Sequence, residues 1–419
     1  MKMNKMKLKK IHISFLLIQT LIFLFASCSK EIEVNHKPLL NINYDINGLE
    51  VTLTGSAFDS DGTISTVKVA WGDSKIDIYN SSDFSNLKKT HTYSSPSTYD
   101  IFITVSDNDG DSTNLSLSAA VDFKNVSLDK IKKSMFKTSE NEYLILTVNQ
   151  HTYQESNQNE KFNMLMEVIG RMDIDFIALQ ECAQNKSAKI TNEIIREDNM
   201  ALIISNNLKE NYGVEYNFVW NWTHYGWDVW EEGIAILSKH SLINYEDRYI
   251  SSSTSTSNIA SRKAIFGSYQ IPEGRINIFS THTHWRTSES DEEQNNQINN
   301  IKLMVDEKET LIPEATTFIC GDFNGNPTSD YPWSEGYNTV INNGEYVDTF
   351  LEIYPDANNK PAQSIYNTIG GSYPGRIDYI FAKNNPRIKI LDSQIIFTDN
   401  IVGKISDHYA VLTKITFLQ

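Results

Sequence analysis

The stretch "TTFICGDFN" (residues 316–324) joins a run of apolar residues directly to two polar ones. A short apolar run of this kind is typical of a buried strand. Asp322 and Asn324, at its end, are residues that the apolar run does not require, and a buried polar group costs free energy unless it finds a partner. We therefore interpret the stretch as a strand that delivers Asp322 and Asn324 to the edge of a sheet.

The same arrangement recurs at five other strand-like runs. They are "YLILTVN" ending at Asn149, "DFIALQE" ending at Glu181, "INIFSTH" ending at His282, "GRIDYIF" containing Asp378, and "KISDHYAV", which places Asp407 and His408 before a strand. One such carboxylate is more often a solvated residue or a helix cap, and one such histidine is more often structural than catalytic. Six together indicate a ligand site, because strand ends in layered α/β folds converge on one edge.

Helical patterns lie between these strands. "KFNMLMEVIGRM" places Phe162, Leu165, Met166 and Ile169 on one helical face, and "DEEQNNQINNIKLMVDE" is predicted to be a second helix. Strands mixed with helices over residues 141–419 predict a layered α/β domain.

The N-terminus reads as an export signal. Lysines precede the apolar run of residues 11–25, and the short sequence "ASC" follows it, which is the order of a signal peptide. "LFASC" resembles the bacterial lipobox, whose cysteine, here Cys28, becomes the lipidated first residue. We expect a signal peptide (residues 1–27), a tether (28–38) and a lipid anchor in the bacterial cell envelope, at the outer membrane and facing either the periplasm or the cell surface. The alternative is an ordinary secreted protein with an unmodified Cys28.

Residues 39–123 predict an all-β sandwich, because short strands alternate with Asp/Gly/Ser turns. "AWGDS" and "HTYSSPSTYDIFITVSDNDG" resemble the PKD domain, which has an immunoglobulin-like fold. Asp107, Asp109 and Asp111 suggest either a calcium loop or tight-turn chemistry, and the turn is the stronger interpretation. The module is expected to be a spacer or a weak binding unit, followed by a linker at residues 124–140.

Composition narrows the classes of function. The chain of 419 residues is 40% hydrophobic and 11% aromatic, which suits globular domains. Removing the five lysines of the signal segment takes the formal net charge from −16 to −21. An acidic surface disfavours strong non-specific binding to nucleic acid without excluding a nuclease. Cys182 and Cys320 lie in apolar runs, so buried free thiols are expected rather than a disulfide framework.

The residue types at the strand ends indicate their chemistry. Glu, Asp and Asn oxygens without cysteine suit a hard cation, either Mg²⁺, Mn²⁺ or Ca²⁺. Histidines beside such carboxylates suit general acid–base work or stabilisation of an oxyanion. Hydrolysis of a phosphate ester uses these parts together.

The motifs "VNQHTYQE", "DFIALQE", "EEGIAILS", "STHTHW", "CGDFNGNP", "RIDYIF" and "SDHYAV" resemble the endonuclease/exonuclease/phosphatase superfamily over about residues 141–419. The resemblance implies a DNase I-like four-layered α/β sandwich, with two packed mixed sheets flanked by helices. It also implies a divalent-metal-dependent phosphoesterase, with Glu181 as the principal metal ligand, Asn149 close by and Asp407 at or beside the metal.

The resemblance assigns further roles. It makes Asp322 the group that orients or deprotonates water, Asn324 a phosphate ligand and Asp378 the partner of His408. It makes His282 the other catalytic histidine, oriented by Glu232, although the adjacent Glu231 leaves that choice uncertain by one position. The remaining candidates are substrate contacts, namely Arg262, Trp227 and His284.

Two questions stay open in the sequence. His282 and His284 share a face of a strand, so periodicity does not choose between them, and only the resemblance favours His282. "NFVWNWTHYGWDVWEEG" is dense in aromatic residues, which either stack on a base or sugar or pack in the core.

The sequence also leaves the substrate open: the alternatives are nucleic acid, phospholipid head groups (as in sphingomyelinases) and phosphorylated sugars. A non-catalytic glycan-binding surface protein led by the PKD-like module is the alternative of another class. No protein partner is evident, and a monomer is expected.

Overall fold

The computed structural model describes residues 35–80, 84–330, 332–359, 365–370 and 374–418. Cys28 and the expected signal peptide lie outside these residues, as does most of the expected tether. The chain divides into two compact units, Met1–Asp122 and Phe123–Gln419. Within the described residues, helices are too short or too polar to cross a membrane.

The N-terminal unit is all-β. Its strands are β1 (Leu39–Asn47), β2 (Glu50–Phe58), β3 (Ile64–Ala70), β4 (Ile76–Tyr79), β5 (Leu87–Thr92), β6 (Ser97–Asp107) and β7 (Ser112–Val121). They form two antiparallel sheets, in the orders β1-β2-β5 and β4-β3-β6-β7, around a core that contains the buried Trp71. This two-sheet arrangement confirms the predicted all-β unit, and its relation to the PKD domain stays a prediction.

The turn at Asp107 follows the favoured interpretation. Asp107 Oδ1 accepts hydrogen bonds from the backbone N–H groups of Asp109, Gly110 and Asp111, at 2.9, 2.7 and 2.9 Å. An aspartate that caps its own turn in this way is ordinary turn chemistry. Asp107 therefore serves the backbone of the loop.

The C-terminal unit contains fourteen strands within the described residues. They are β8 (Glu142–Asn149), β9 (Phe176–Asn185), β10 (Ile190–Asn192), β11 (Ile195–Arg196), β12 (Asn217–Gly226), β13 (Trp230–Ser238), β14 (Ser241–Tyr249), β15 (Lys263–Ile271), β16 (Gly274–His282), β17 (Thr316–Asp322), β18 (Tyr346–Asp348), β19 (Asp378–Lys383), β20 (Ile388–Ile396) and β21 (Ala410–Phe417). The helices are α1 (Gln158–Met172), α2 (Met200–Tyr212), α3 (Glu293–Leu311), α4 (Glu335–Ile341) and α5 (Thr349–Ile353).

Two six-stranded mixed sheets form the centre of this unit. Their orders are β12-β13-β9-β8-β21-β20 and β14-β15-β16-β17-β19-β18, with β8/β9 and β16/β17 parallel. Alternation along β8 shows the layering: Tyr143 and Ile145 pack between the sheets, whereas Leu144 and Leu146 pack under α1 and α2. Helices α3 and α4 cover the outer face of the second sheet. The order is helix, sheet, sheet, helix.

The register of the strands positions the site. His282, Asp322 and Asp378 lie side by side on β16, β17 and β19, and Asn149 pairs with Gln180 on the facing sheet. The pairing register of neighbouring strands brings the apolar runs to an end at about the same level. The polar residues that follow are therefore brought to one edge.

The structure also describes the two internal cysteines and the segment that was expected to be a linker. Cys182 and Cys320 are buried free thiols. The segment 124–140, expected to be a linker, packs on the C-terminal unit, because Leu128, Ile131 and Met135 are buried in its core. Lys132 also forms an ion pair with Asp392.

Candidate active site

Asn149 ends β8, whereas Glu181 lies inside the neighbouring parallel strand β9, directly after Gln180, which pairs with Asn149. Asn149 Nδ2 donates to Glu181 Oε1 at 2.8 Å and lies 3.3 Å from Asp322 Oδ2 on the other sheet. Glu181 itself has a positive φ of 47°, a left-handed conformation that is uncommon outside glycine. Burial and the charge of Glu232 raise the pKa of Glu181 to about 7.

Asp322 lies at the centre of the site. Its Oδ1 accepts the backbone N–H of Asn324 at 2.9 Å, while its Oδ2 lies 3.5 Å from His282 Nε2 and 3.8 Å from His408 Nε2. Burial and the neighbouring Asp378 raise the pKa of Asp322 to about 7. A carboxylate of this basicity is suited to accept a proton from water near neutral pH.

Asp378 and His408 form a buried pair. His408 Nδ1 lies 2.9 Å from Asp378 Oδ2, so Nε2 is the ring nitrogen that faces Asp322. Burial alone would lower the pKa of His408, but the charges of Asp378 and Asp322 outweigh it and raise the pKa to about 10. His408 is therefore a cation at neutral pH.

His282 has the opposite electrostatic character. Burial and the positive charges of Arg262 and His408 lower the pKa of His282 well below its usual value. Its contact with Asp322 is consequently that of a neutral imidazole, and the two histidines of the site differ in charge. His284 is also buried and has a lowered pKa, and its backbone N–H donates to Gln297 Oε1 at 2.8 Å.

The expected pairing of Glu232 with His282 is wrong. Glu232 Oε1 lies 3.2 Å from Nε2 of His224, a buried histidine that directly opposes it across β12 and β13, and Glu232 Oε2 accepts the Thr152 hydroxyl at 3.0 Å. Burial opposes ionisation of Glu232, but the contact with His224 outweighs it and lowers the pKa of Glu232. Sequence reasoning missed His224 because it lies inside a strand.

The side chains of the adjacent residues Glu231 and Glu232 face opposite sides of β13. Glu231 points to the other side of β13, where Arg196 Nε donates to it at 2.8 Å and Gln184 Nε2 at 2.6 Å. Adjacent residues of a strand face opposite sides, so only Glu232 reaches the site.

Arg262 is fully buried beside the carboxylates. Its guanidinium lies 3.1 Å from His224 Nδ1 and donates to the carbonyl of Ile259 at 2.5 Å, while its Nε has no partner among the described residues. Burial lowers the pKa of Arg262 from its ordinary value, with Glu232 and Glu181 opposing that effect. Arg262 is therefore a buried arginine of the site rather than a surface residue.

Three further candidate residues lie at the periphery of the site, namely Asp407, Trp227 and Asn324. Asp407 is 47% exposed and lies 3.4 Å from Nδ1 of His151, a residue that the sequence did not single out. The exposed Trp227 meets the ring of His151 edge-on, with ring centroids 6.4 Å apart. Asn324 Nδ2 donates to the carbonyl of Thr283 at 2.9 Å.

Most of the other tryptophans of the aromatic segment are structural. Trp220 is buried and donates to the carbonyl of Cys182 at 2.7 Å, and Trp230 stacks on Tyr153 with ring centroids 4.7 Å apart. Trp227 is the one that is largely exposed.

The donor set fits a divalent cation. Three acidic side chains, Glu232, Asp322 and Asp378, are buried, and the half-buried Glu181 lies beside them, so four carboxylates outnumber the cationic His408 and Arg262. Two groups of described residues have possible ligand atoms within 4.8 Å of one another, namely Asp322, Asp378 and His408, and His151, Glu155 and Asp407. Oxygen donors without thiolate suit Mg²⁺, Mn²⁺ or Ca²⁺. Glu181, with Asn149 and Asp322 beside it, would hold such an ion.

Several solved structures are similar to this chain over about two thirds of its length. A family protein from Leptotrichia buccalis is 25% identical over 66% of this chain and 100% of its own, with a TM-score of 0.56. One from Beutenbergia cavernae is 16% identical over 66% of this chain and 72% of its own, with a TM-score of 0.48. The human Nocturnin catalytic domain is 17% identical over 67% of this chain and 96% of its own, with a TM-score of 0.49. No curated protein matches the chain significantly.

The first of these similarities confirms the predicted fold of the C-terminal unit. The model of the endonuclease/exonuclease/phosphatase family matches residues 156–408, which is more than half of the chain and includes most of the site. The protein therefore belongs to the endonuclease/exonuclease/phosphatase family.

Proposed function

We propose that the protein is a divalent-metal-dependent hydrolase of phosphoester bonds. The observation that carries the proposal is that five polar side chains meet in one cluster where the two sheets face each other, namely Asn149, Glu181, Asp322, Asp378 and His408. Membership of a family that includes metal-dependent phosphoesterases supports it.

Each residue has a part in the proposed reaction. Asp322 Oδ2 accepts the proton of the water whose oxygen attacks phosphorus, since the raised pKa makes this carboxylate basic enough. The bond from phosphorus to the leaving oxygen breaks with its electron pair on that oxygen, which takes a proton from solvent. Charged His408, held by Asp378, and buried Arg262 oppose the negative charge that grows on the phosphoryl oxygens.

The metal and the neutral groups complete the site. A divalent cation at Glu181 would polarise a phosphoryl oxygen. Asn324 would donate to the phosphate, and neutral His282 would hold the substrate or the water through Nε2. Trp227 and His284 would contact the group attached to phosphorus.

The test is hydrolysis by the purified protein with Mg²⁺ or Mn²⁺ and with a chelator. The substrates are a generic phosphodiester and phosphomonoester, plasmid DNA, sphingomyelin and a phosphorylated sugar, which also separate the substrate classes. We expect metal-dependent turnover that His408→Ala reduces at least about 100-fold. Identical behaviour of the wild type and His408→Ala on every substrate would end the enzymatic proposal.

We further propose that the chain is exported and lipid-anchored through Cys28, with the N-terminal unit acting as a PKD-like spacer or weak binding unit. The supporting features are the lysines, the apolar run and "LFASC" at the N-terminus. Metabolic labelling with a fatty acid should mark the wild type and not Cys28→Ala. Equal labelling of the two would contradict the anchor.

A further inference from the structure

We propose that Thr152 is a positioning residue that joins the half-buried carboxylate of Glu181 to the buried carboxylate of Glu232 and thereby sets the affinity of the site for a divalent cation. The inference deepens the proposed function and rests on it. It concerns a residue of the segment "HTY", for which neither the strand pattern nor the resemblance predicts a role.

The backbone around Thr152 is in an unusual conformation. His151, Thr152 and Tyr153 have φ values of 51°, 41° and 58°, three consecutive left-handed residues without a glycine. A β-branched residue is an outlier in this region, because its side chain crowds the backbone. Such conformations persist only where the surroundings over-determine them, and they cluster at functional sites.

Both neighbours of Thr152 are anchored. His151 donates its backbone N–H to Asn149 Oδ1 at 2.9 Å. The Tyr153 ring stacks on Trp230, and its hydroxyl donates to the carbonyl of Asp198 at 2.5 Å. These contacts hold the left-handed turn in place from each side.

The turn delivers one hydroxyl to two carboxylates. Thr152 Oγ1 lies 3.2 Å from Glu181 Oε2 and 3.0 Å from Glu232 Oε2, and Thr152 is fully buried. Gly226 leaves room for this contact, since a Cβ there would lie 2.8 Å from Glu232 Oε2 and 3.4 Å from Thr152 Cγ2. Thr152 therefore connects Glu181 of β9 with Glu232 of β13.

The remaining contacts explain why this hydroxyl matters for the metal. Asn149 holds Glu181 Oε1 and His224 faces Glu232 Oε1, so Thr152 approaches the Oε2 atom of each carboxylate. Outer hydrogen bonds of this kind orient a carboxylate ligand and set its basicity. Without the hydroxyl, the Oε2 atoms of Glu181 and Glu232 lose the contact that joins them.

The experiment measures Mn²⁺ binding by titration calorimetry in the absence of substrate. We expect Thr152→Val to weaken Mn²⁺ binding about 10- to 100-fold, the usual effect of removing an outer hydrogen bond. Thr152→Ser keeps the hydroxyl and should restore most of the affinity. Thr349→Val is the matched control, because its buried hydroxyl donates to the Ile380 carbonyl outside the site, and it should bind Mn²⁺ like the wild type.

A fourth variant, Thr152→Gly, keeps the inference testable if Thr152→Val does not fold. Glycine adopts the left-handed region freely, so Thr152→Gly should fold with a Tm no lower than that of the wild type and still bind Mn²⁺ weakly. Wild-type affinity in a folded Thr152→Val or Thr152→Gly protein would overturn the inference, as would equal losses in the Val and Ser variants. No Mn²⁺ binding by the wild type would instead count against the proposed function, and the inference would fall with it.

Discussion

Asp378 Oδ2 lies 2.9 Å from His408 Nδ1, and both side chains are buried beside Asp322. The negative charges of Asp378 and Asp322 outweigh the cost of burying the positively charged His408 ring. The pKa of His408 therefore rises to about 10, and the ring stays charged at neutral pH. Asp378 also opposes Asp322 across β17 and β19, where it helps raise the pKa of Asp322. One carboxylate, Asp378, therefore helps to raise the pKa of both His408 and Asp322.

Asp378→Asn should reduce kcat by about 100-fold or more, because His408 loses its compensating charge. His408 is protonated below its pKa, so a lower pKa moves the loss of its charge to a lower pH. We expect the descending high-pH limb of the pH–rate profile to shift toward neutrality. An unchanged profile would remove Asp378 from this role.

Asp322→Ala should abolish turnover more than it weakens substrate binding, because its proposed proton transfer belongs to the transition state. The measurement is a comparison of kcat and KM on whichever substrate the wild type hydrolyses. A raised KM with an unchanged kcat is the outcome that would contradict the assignment.

His224→Ala should destabilise the fold by about 3 kcal/mol, because it leaves the buried Glu232 carboxylate without its contact with the His224 ring. The double variant with Glu232→Gln should recover part of this free energy, since no unpaired carboxylate remains. Urea denaturation measures both. Additive losses in the double variant would show that the two side chains are not coupled.

Saturating Mn²⁺ should raise the Tm of the wild type, and a chelator should reverse the effect, because a ligand of the native state stabilises it. Glu181→Gln should abolish most of the metal-dependent shift. A shift of equal size in that variant would place the ion elsewhere.

The stability of the fold in acid should depend on Asp175, which begins the run "DFIALQE" that ends at Glu181. Burial raises its pKa, but contacts with His240, Lys239, Lys137 and the Leu144 N–H outweigh burial and lower it. A lowered folded pKa contributes stability above the unfolded value of about 3.9, and that contribution is lost as pH falls through the folded pKa.

The corresponding variant is Asp175→Asn, which should lower the free energy of unfolding at pH 7 by about 2 kcal/mol. The difference from the wild type should shrink as the pH falls below about 4. The matched control is Asp173→Asn, whose half-exposed carboxylate pairs with the same lysines and should cost no more than about 1 kcal/mol. A difference that does not change with pH would contradict the prediction.

The sequence by itself determined the fold class and most members of the site. Runs such as "DFIALQE" and "TTFICGDFN" are apolar throughout, which predicts strands covered on both faces, and their polar ends predict a shared edge. The resemblance to the family implied the pairing of Asp378 with His408, which the structure shows.

Only the tertiary structure decided which residues touch across strands. The partner of Glu232 is His224 rather than His282, because β12 and β13 are antiparallel neighbours and their register places these two residues opposite each other. Neither His224 nor Thr152 ends an apolar run, so no periodicity distinguishes them. A strand pattern specifies which face a residue takes, whereas the register of neighbouring strands and a left-handed turn specify what that residue meets.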